Sequence, residues 1–133
     1  QIAYRALGVT GTGPELRPEA ITSPFTFIST ASSLKWDGVQ PIFVDINSTT
    51  WCLDAEKIEK AITPNTRAVV PVHVFGNACD VTAINKIANR HNLKVIYDAS
   101  HAFGVTYEGE AFTPLNCSIP ERAGLSSSSV RKT

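Results

Sequence analysis

Methionine is missing from all 133 residues, and one-sided charge, paired cysteines and long apolar runs are missing with it. With no initiating methionine anywhere, the expectation is that Gln1 is not the natural start. Twelve basic side chains balance twelve acidic ones, which removes the positive footprint a nucleic-acid binder needs. No apolar run reaches the roughly 18 residues of a membrane span. Gln1–Arg5 has neither the basic start nor the apolar stretch of a secretory signal. Cys52, Cys79 and Cys117 are odd in number and far apart, with no CxxC pair and no Cys/His cluster at metal-ligand spacing. They read as reduced structural thiols, and the compartment expected from them is cytoplasmic. What is present is ordinary: 43% hydrophobic and 18% charged residues, in a length that suits one domain with a real core.

Gln1–Leu7 reads as the tail of an amphipathic helix ended by Gly8, followed by a loop through Gly11, Gly13, Pro14 and Pro18. Gly11-x-Gly13 is a poor phosphate loop, because no strand precedes it and Pro14 follows. From Glu19 onward, short apolar runs alternate with helical periodicity. Ala20–Thr22 predicts a strand, and Phe25–Leu34 a helix with Phe25, Ile28, Ala31 and Leu34 on one face. Gly38 ends that helix, and Pro41–Asp45 is a second strand, rich in β-formers. Asp54 is a good N-cap for a helix over Ala55–Ile62. Ala68–Val72 is a continuous apolar run, as in a strand covered on both faces. Asp80 caps a helix running to about His91, with Val81, Ile84, Ile87, Ala88 and His91 in one stripe. Lys94–Asp98 and Phe103–Tyr107 predict two further strands, with a turn at Glu108–Glu110. The alternation predicts an α/β fold, an open, mostly parallel sheet flanked by helices. Past Phe112 the periodicity disappears, so residues 1–112 are read as the domain and 113–133, with the Ser126–Ser129 run, as an irregular or disordered tail.

Ligands of open α/β sheets bind beyond the carboxyl ends of the strands. The segments to inspect are therefore Ser23–Phe27, Asp45, His73–Asn77 and Asp98–His101. Asp98 is the most informative, because a carboxylate ending an apolar strand costs free energy unless it is paired or kept wet. It either caps the segment after it or faces a cationic group. His73, His101 and Phe27 are each compatible with a core or rim position as well as with a ligand.

Four stretches in consistent order carry more: Ile21–Thr30, Pro41–Asp45, Ala61–Gly76 and Val95–Gly104. Over residues 1 to about 110 the chain resembles the DegT/DnrJ/EryC1/StrS family of sugar aminotransferases, which use pyridoxal phosphate (PLP) on a fold type I large domain. The resemblance implies that Phe27 stacks on the cofactor ring, that Asp98 pairs with its protonated nitrogen, and that His101 lies by its phenolic oxygen. It implies a nucleotide-linked keto-sugar as substrate and an amino acid as donor. Exposed sheet edges add the expectation of a homo-oligomer, with no nucleic-acid or membrane partner.

Three family elements are expected to have no counterpart in this text, the family's carboxy-terminal domain among them. The Ser-Gly-Thr type segment that cradles the cofactor phosphate would lie just upstream of Gln1. The Ser-Phe-His-x-x-Lys stretch, whose lysine forms the Schiff base, is not found, and Lys132 in Val130–Thr133 has none of that context. No catalytic residue is therefore assigned, and the chain is expected to be a family fragment, truncated at both ends and not competent alone. Alternatives stay open: a non-catalytic α/β assembly or binding module, a PLP-dependent sugar dehydratase with histidine in place of the lysine, or an unrelated open α/β domain.

Overall fold

The computed structural model describes residues 1–11, 17–107 and 110–111. Four parallel strands form the sheet, β1 (Glu19–Thr22), β2 (Gln40–Phe43), β3 (Thr66–Val70) and β4 (Lys94–Val95), in the order β2-β1-β3-β4. The helices are α1 (Ile2–Ala6), α2 (Ile28–Trp36), α3 (Ala55–Ala61) and α4 (Val81–Arg90). Two short antiparallel strands, β5 (Thr106–Tyr107) and β6 (Glu110–Ala111), form a separate ribbon. The open parallel sheet with flanking helices is the architecture the sequence predicts.

Strand side chains point alternately to the two faces, and here both faces are covered. Ile21 and Val69 enter one core with Ile58 of α3 and Ile84 and Ile87 of α4. Their neighbours Ala20, Ala68 and Val70 enter the other, with Tyr4 of α1 and Leu34 of α2. Burying a side chain such as Ile21 fully contributes about 1.5–3 kcal/mol, which is why strands this short hold. Asp54 and Asp80 cap α3 and α4 by accepting the amides of Glu56 and Ala83 at 3.1 and 2.9 Å. Arg5 donates twice to Asp37 Oδ1, at 3.0 and 3.1 Å, and so ties α1 to the end of α2.

Several expected boundaries move: β2 is Gln40–Phe43 rather than Pro41–Asp45, and β3 is Thr66–Val70 rather than Ala68–Val72. The second helix begins at Ile28 rather than Phe25. Ser23 precedes a proline, which disfavours helical backbone there, its hydroxyl accepts the Phe25 amide at 3.0 Å, and Phe27 is extended at φ −66°, ψ 145°. Thr30 and Leu34, four apart, are the buried positions of α2, while Ile28 is exposed. The strand expected over Lys94–Asp98 is regular only to Val95. Pro71 has no N–H to give the Ile96 carbonyl, so the ladder breaks there and resumes as Asp98 N to Pro71 O (2.8 Å) and His73 N to Asp98 O (3.0 Å). The strand expected over Phe103–Tyr107 is confined to its last two residues, and Glu110, expected in the turn, belongs to β6. The tail at 113–133 lies outside the described residues. Among the described residues no helix is long and apolar enough to cross a membrane.

Candidate functional site

The chain leaves β1 for β2 on one side and returns to β3 on the other, so the carboxyl ends of β1 and β3 flank the point where the strand order reverses. Such points are where open α/β sheets leave a crevice. Thr22 closes its floor, donating its hydroxyl to Val70 O at 2.8 Å. The extended segment after β1 brings Phe27 to the rim with its ring 69% exposed, and α2 starts at the next residue.

Asp98 stands beyond β4 and reaches α2. Its Oδ2 accepts the Thr30 hydroxyl at 2.8 Å. Its Oδ1 accepts both the amide of Ser100 at 3.0 Å and its hydroxyl at 2.5 Å. Burial pushes the carboxyl up, but Ser100, then Thr30, then nearby His101 together outweigh burial and hold it below the usual aspartate value. Asp98 is therefore an ionised acceptor at neutral pH. Thr30 donates from the same turn that carries Phe27, since its amide hydrogen-bonds to Phe27 O at 3.2 Å. The acid and the backbone of Phe27 are thus linked through one turn.

His101 lies three residues past Asp98, in the turn that the Asp98 carboxylate organises. Its Nδ1 accepts the Phe75 amide at 3.4 Å, and its ring stacks on Phe75 with centroids 6.0 Å apart. With Nδ1 occupied as an acceptor, the neutral ring carries its proton on Nε2. Phe75 presents that amide from a left-handed backbone, φ 54°, which a bulky residue adopts only under constraint. Gly76 follows at φ 85°, where a Cβ would meet Val105 Cγ2 at 3.3 Å.

A cavity of about 250 Å³ opens beside Asp98, lined in part by Tyr4, Ser29, Thr30 and Ser33. Burial raises the Tyr4 phenol above its ordinary value, and its oxygen lies 3.3 Å from Ser33 Oγ.

Other residues expected on the rim fall elsewhere. Asp45 follows the edge strand β2, three strands from β4, and pairs with Lys57 at 3.7 Å. His73 is wholly buried, accepts the Cys79 amide on Nδ1 at 3.1 Å and stacks on Tyr97. Asn77 stitches loops by donating to Thr50 O at 3.3 Å. Thr30 and Ser100, the donors to Asp98, were not singled out from the sequence. The Asp98-x-Ser100 spacing signals a local side-chain turn, whereas nothing local connects Thr30 to a partner 68 residues away.

Known proteins sharpen the description. The family model for DegT/DnrJ/EryC1/StrS aminotransferases matches residues 1–121. A dTDP-4-amino-4,6-dideoxy-D-glucose transaminase of Escherichia coli is 47% identical over 107 residues, 80% of this chain and 27% of that protein. The enzyme of the same name from Shigella dysenteriae is 53% identical over 103 residues, 77% of this chain and 26% of that one. The crystal structure of NtdA from Bacillus subtilis, with its cofactor PMP bound, superposes with a TM-score of 0.74 at 42% identity, over 81% of this chain and 24% of that one. The chain thus spans about a quarter of the length of these relatives. By the extent of the family match and by its fold, it belongs to the DegT/DnrJ/EryC1/StrS aminotransferase family.

Proposed function

We propose that this chain supplies the cofactor-ring face of a PLP-dependent sugar aminotransferase, with Asp98 at the ring nitrogen, Phe27 against the ring and His101 by the phenolic oxygen. The observation that carries this reading is the Asp98 carboxylate, held ionised by three donors beside the crevice of the sheet. Such a carboxylate suits a protonated pyridine nitrogen, and a charge-assisted contact is stronger than a neutral one. The exposed Phe27 ring offers an apolar face, and His101 a donor at Nε2. When bound, PLP supplies an electron sink for the carbon that loses its proton in transamination. The chain's own part is to keep the ring cationic, flat and oriented.

The whole protein would move an amino group from an amino acid to the ketone of a nucleotide-linked sugar, in keeping with the names of its relatives. No lysine in these 133 residues stands in the family's Ser-Phe-His-x-x-Lys context. Alone, the chain therefore holds PLP without covalent attachment and does not turn over. Two sheet edges, at β2 and β4, are unpaired among the described strands, which favours a homo-oligomer. The buried Cys52 and Cys79, neither in a disulfide, fit a reducing, cytoplasmic setting.

Titrating PLP into the chain and following its absorption tests the reading. Asp98→Asn should weaken binding about tenfold or more, the worth of a hydrogen bond to a charged group. Equal affinity of the two folded proteins would remove Asp98 from the site.

A further inference from the structure

Thr30 is buried on the first turn of α2, and its single hydroxyl hydrogen is committed. An ionised carboxylate only accepts, so Thr30 must donate to Asp98 Oδ2 at 2.8 Å. The Thr26 hydroxyl, 3.0 Å from Thr30 Oγ1, must then donate to Thr30. The run Thr26 to Thr30 to Asp98 has one polarity, and each link polarises the next. The positive end of α2 adds its own field at this turn. On the other carboxylate oxygen both donors come from Ser100. A protonated Asp98 would set its own hydrogen against one of these donors, so the network accommodates the anion.

We infer that Thr30 is a positioning residue: its hydroxyl, ordered by Thr26, fixes the orientation and the negative charge of Asp98. The inference rests on the reading of Asp98 as the acceptor for a cationic ring nitrogen. It also makes the turn that carries Phe27 a coupling element, so that one short segment sets both the stacking ring and the charge beside it. The alternative is that Thr30 merely pins α2 to β4, and a test must separate the two.

The full chain, labelled with ¹³C at aspartate carboxyl carbons and with Asp98 identified by Asp98→Asn, is followed by NMR from neutral pH down to the onset of acid unfolding. Near the ordinary carboxyl value of about 4, the wild-type Asp98 signal should lie further toward the anion than that of an unperturbed aspartate. Thr30→Val keeps the shape and loses the donor, so its Asp98 should protonate at higher pH. Thr30→Ser restores the donor and should return the signal to the wild-type course. Thr26→Val should shift it in the same direction as Thr30→Val, by less. Where Thr30→Val fails to fold, Thr30→Ser and Thr26→Val carry the decision. The inference is overturned by a folded Thr30→Val or Thr26→Val that titrates like the wild type, or by Thr30→Ser displaced as far as Thr30→Val. PLP absorption on the same samples is read separately. A shifted titration without PLP binding keeps Thr30 as the positioner and removes the cofactor reading.

Discussion

His73 and His101 stand beyond adjacent strands, yet their surroundings give them opposite characters. His101 is exposed, with Nε2 free of the contact that engages Nδ1. His73 is buried, and burial lowers its pKa below 6.5 despite the opposing pull of Asp98. An unfolded chain therefore takes up a proton as pH falls through about 6.5, while folded His73 resists it. The stability that neutral His73 contributes is complete above that value and is lost as pH falls toward the lower folded value. The urea midpoint should drop between pH 7.5 and pH 5.5, and His73→Asn, which keeps an acceptor for Cys79, should flatten that slope. Equal slopes in the two proteins would place the titration elsewhere. Among single residues, Asp98 was legible because a carboxylate at the end of an apolar strand demands a reason. Thr30 was not, since a threonine in a helix is ordinary until the fold sets its hydroxyl on a distant acid.

At the scale of elements, what could be read was what is local. Asp54 and Asp80 announce the starts of α3 and α4, and both side chains cap as expected. Asp80→Ala should cost about 1 kcal/mol, seen as a lower urea midpoint with an unchanged slope. An unchanged midpoint would mean that the Ala83 amide finds another acceptor. The apolar stripe of α4 was readable in its middle, where Ile84, Ile87 and Ala88 are buried, but not at its ends: Val81 is half-buried and His91 is exposed, 3.1 Å from Glu59. The start of α2 was misplaced because Pro24 and the Ser23 hydroxyl hold the preceding segment out of the helix. Apolar spacing pointed to a face through Phe25, Ile28, Ala31 and Leu34; Leu34 is buried as expected, but the other buried position is Thr30, which reaches Asp98, while Ile28 is exposed. The irregular end of β4 has its cause in the neighbouring strand end, at Pro71. Periodicity within one segment does not report a neighbour's missing donor.

For the whole molecule, the alternation of strands and helices set the class, and the double coverage of the sheet explains why Ala68–Val72, which overlaps the end of β3, reads as an unbroken apolar run. Strand order was not readable, because pairing of β1 with both β2 and β3 depends on contacts far apart in sequence. That order makes the crevice, and the turn from Phe27 to Thr30 reaches Asp98 beside it. On the proposed reading Phe27, Asp98 and His101 serve a PLP ring, and no lysine of these 133 residues stands in the family's Ser-Phe-His-x-x-Lys context. The direct measurement is to load the purified chain with one equivalent of PLP, reduce with borohydride and weigh the intact protein. The expected result is a cofactor that binds, is removed by gel filtration and leaves the mass of the bare chain. A stoichiometric adduct fixed on a single lysine would contradict it, because the chain would then possess an anchor of its own.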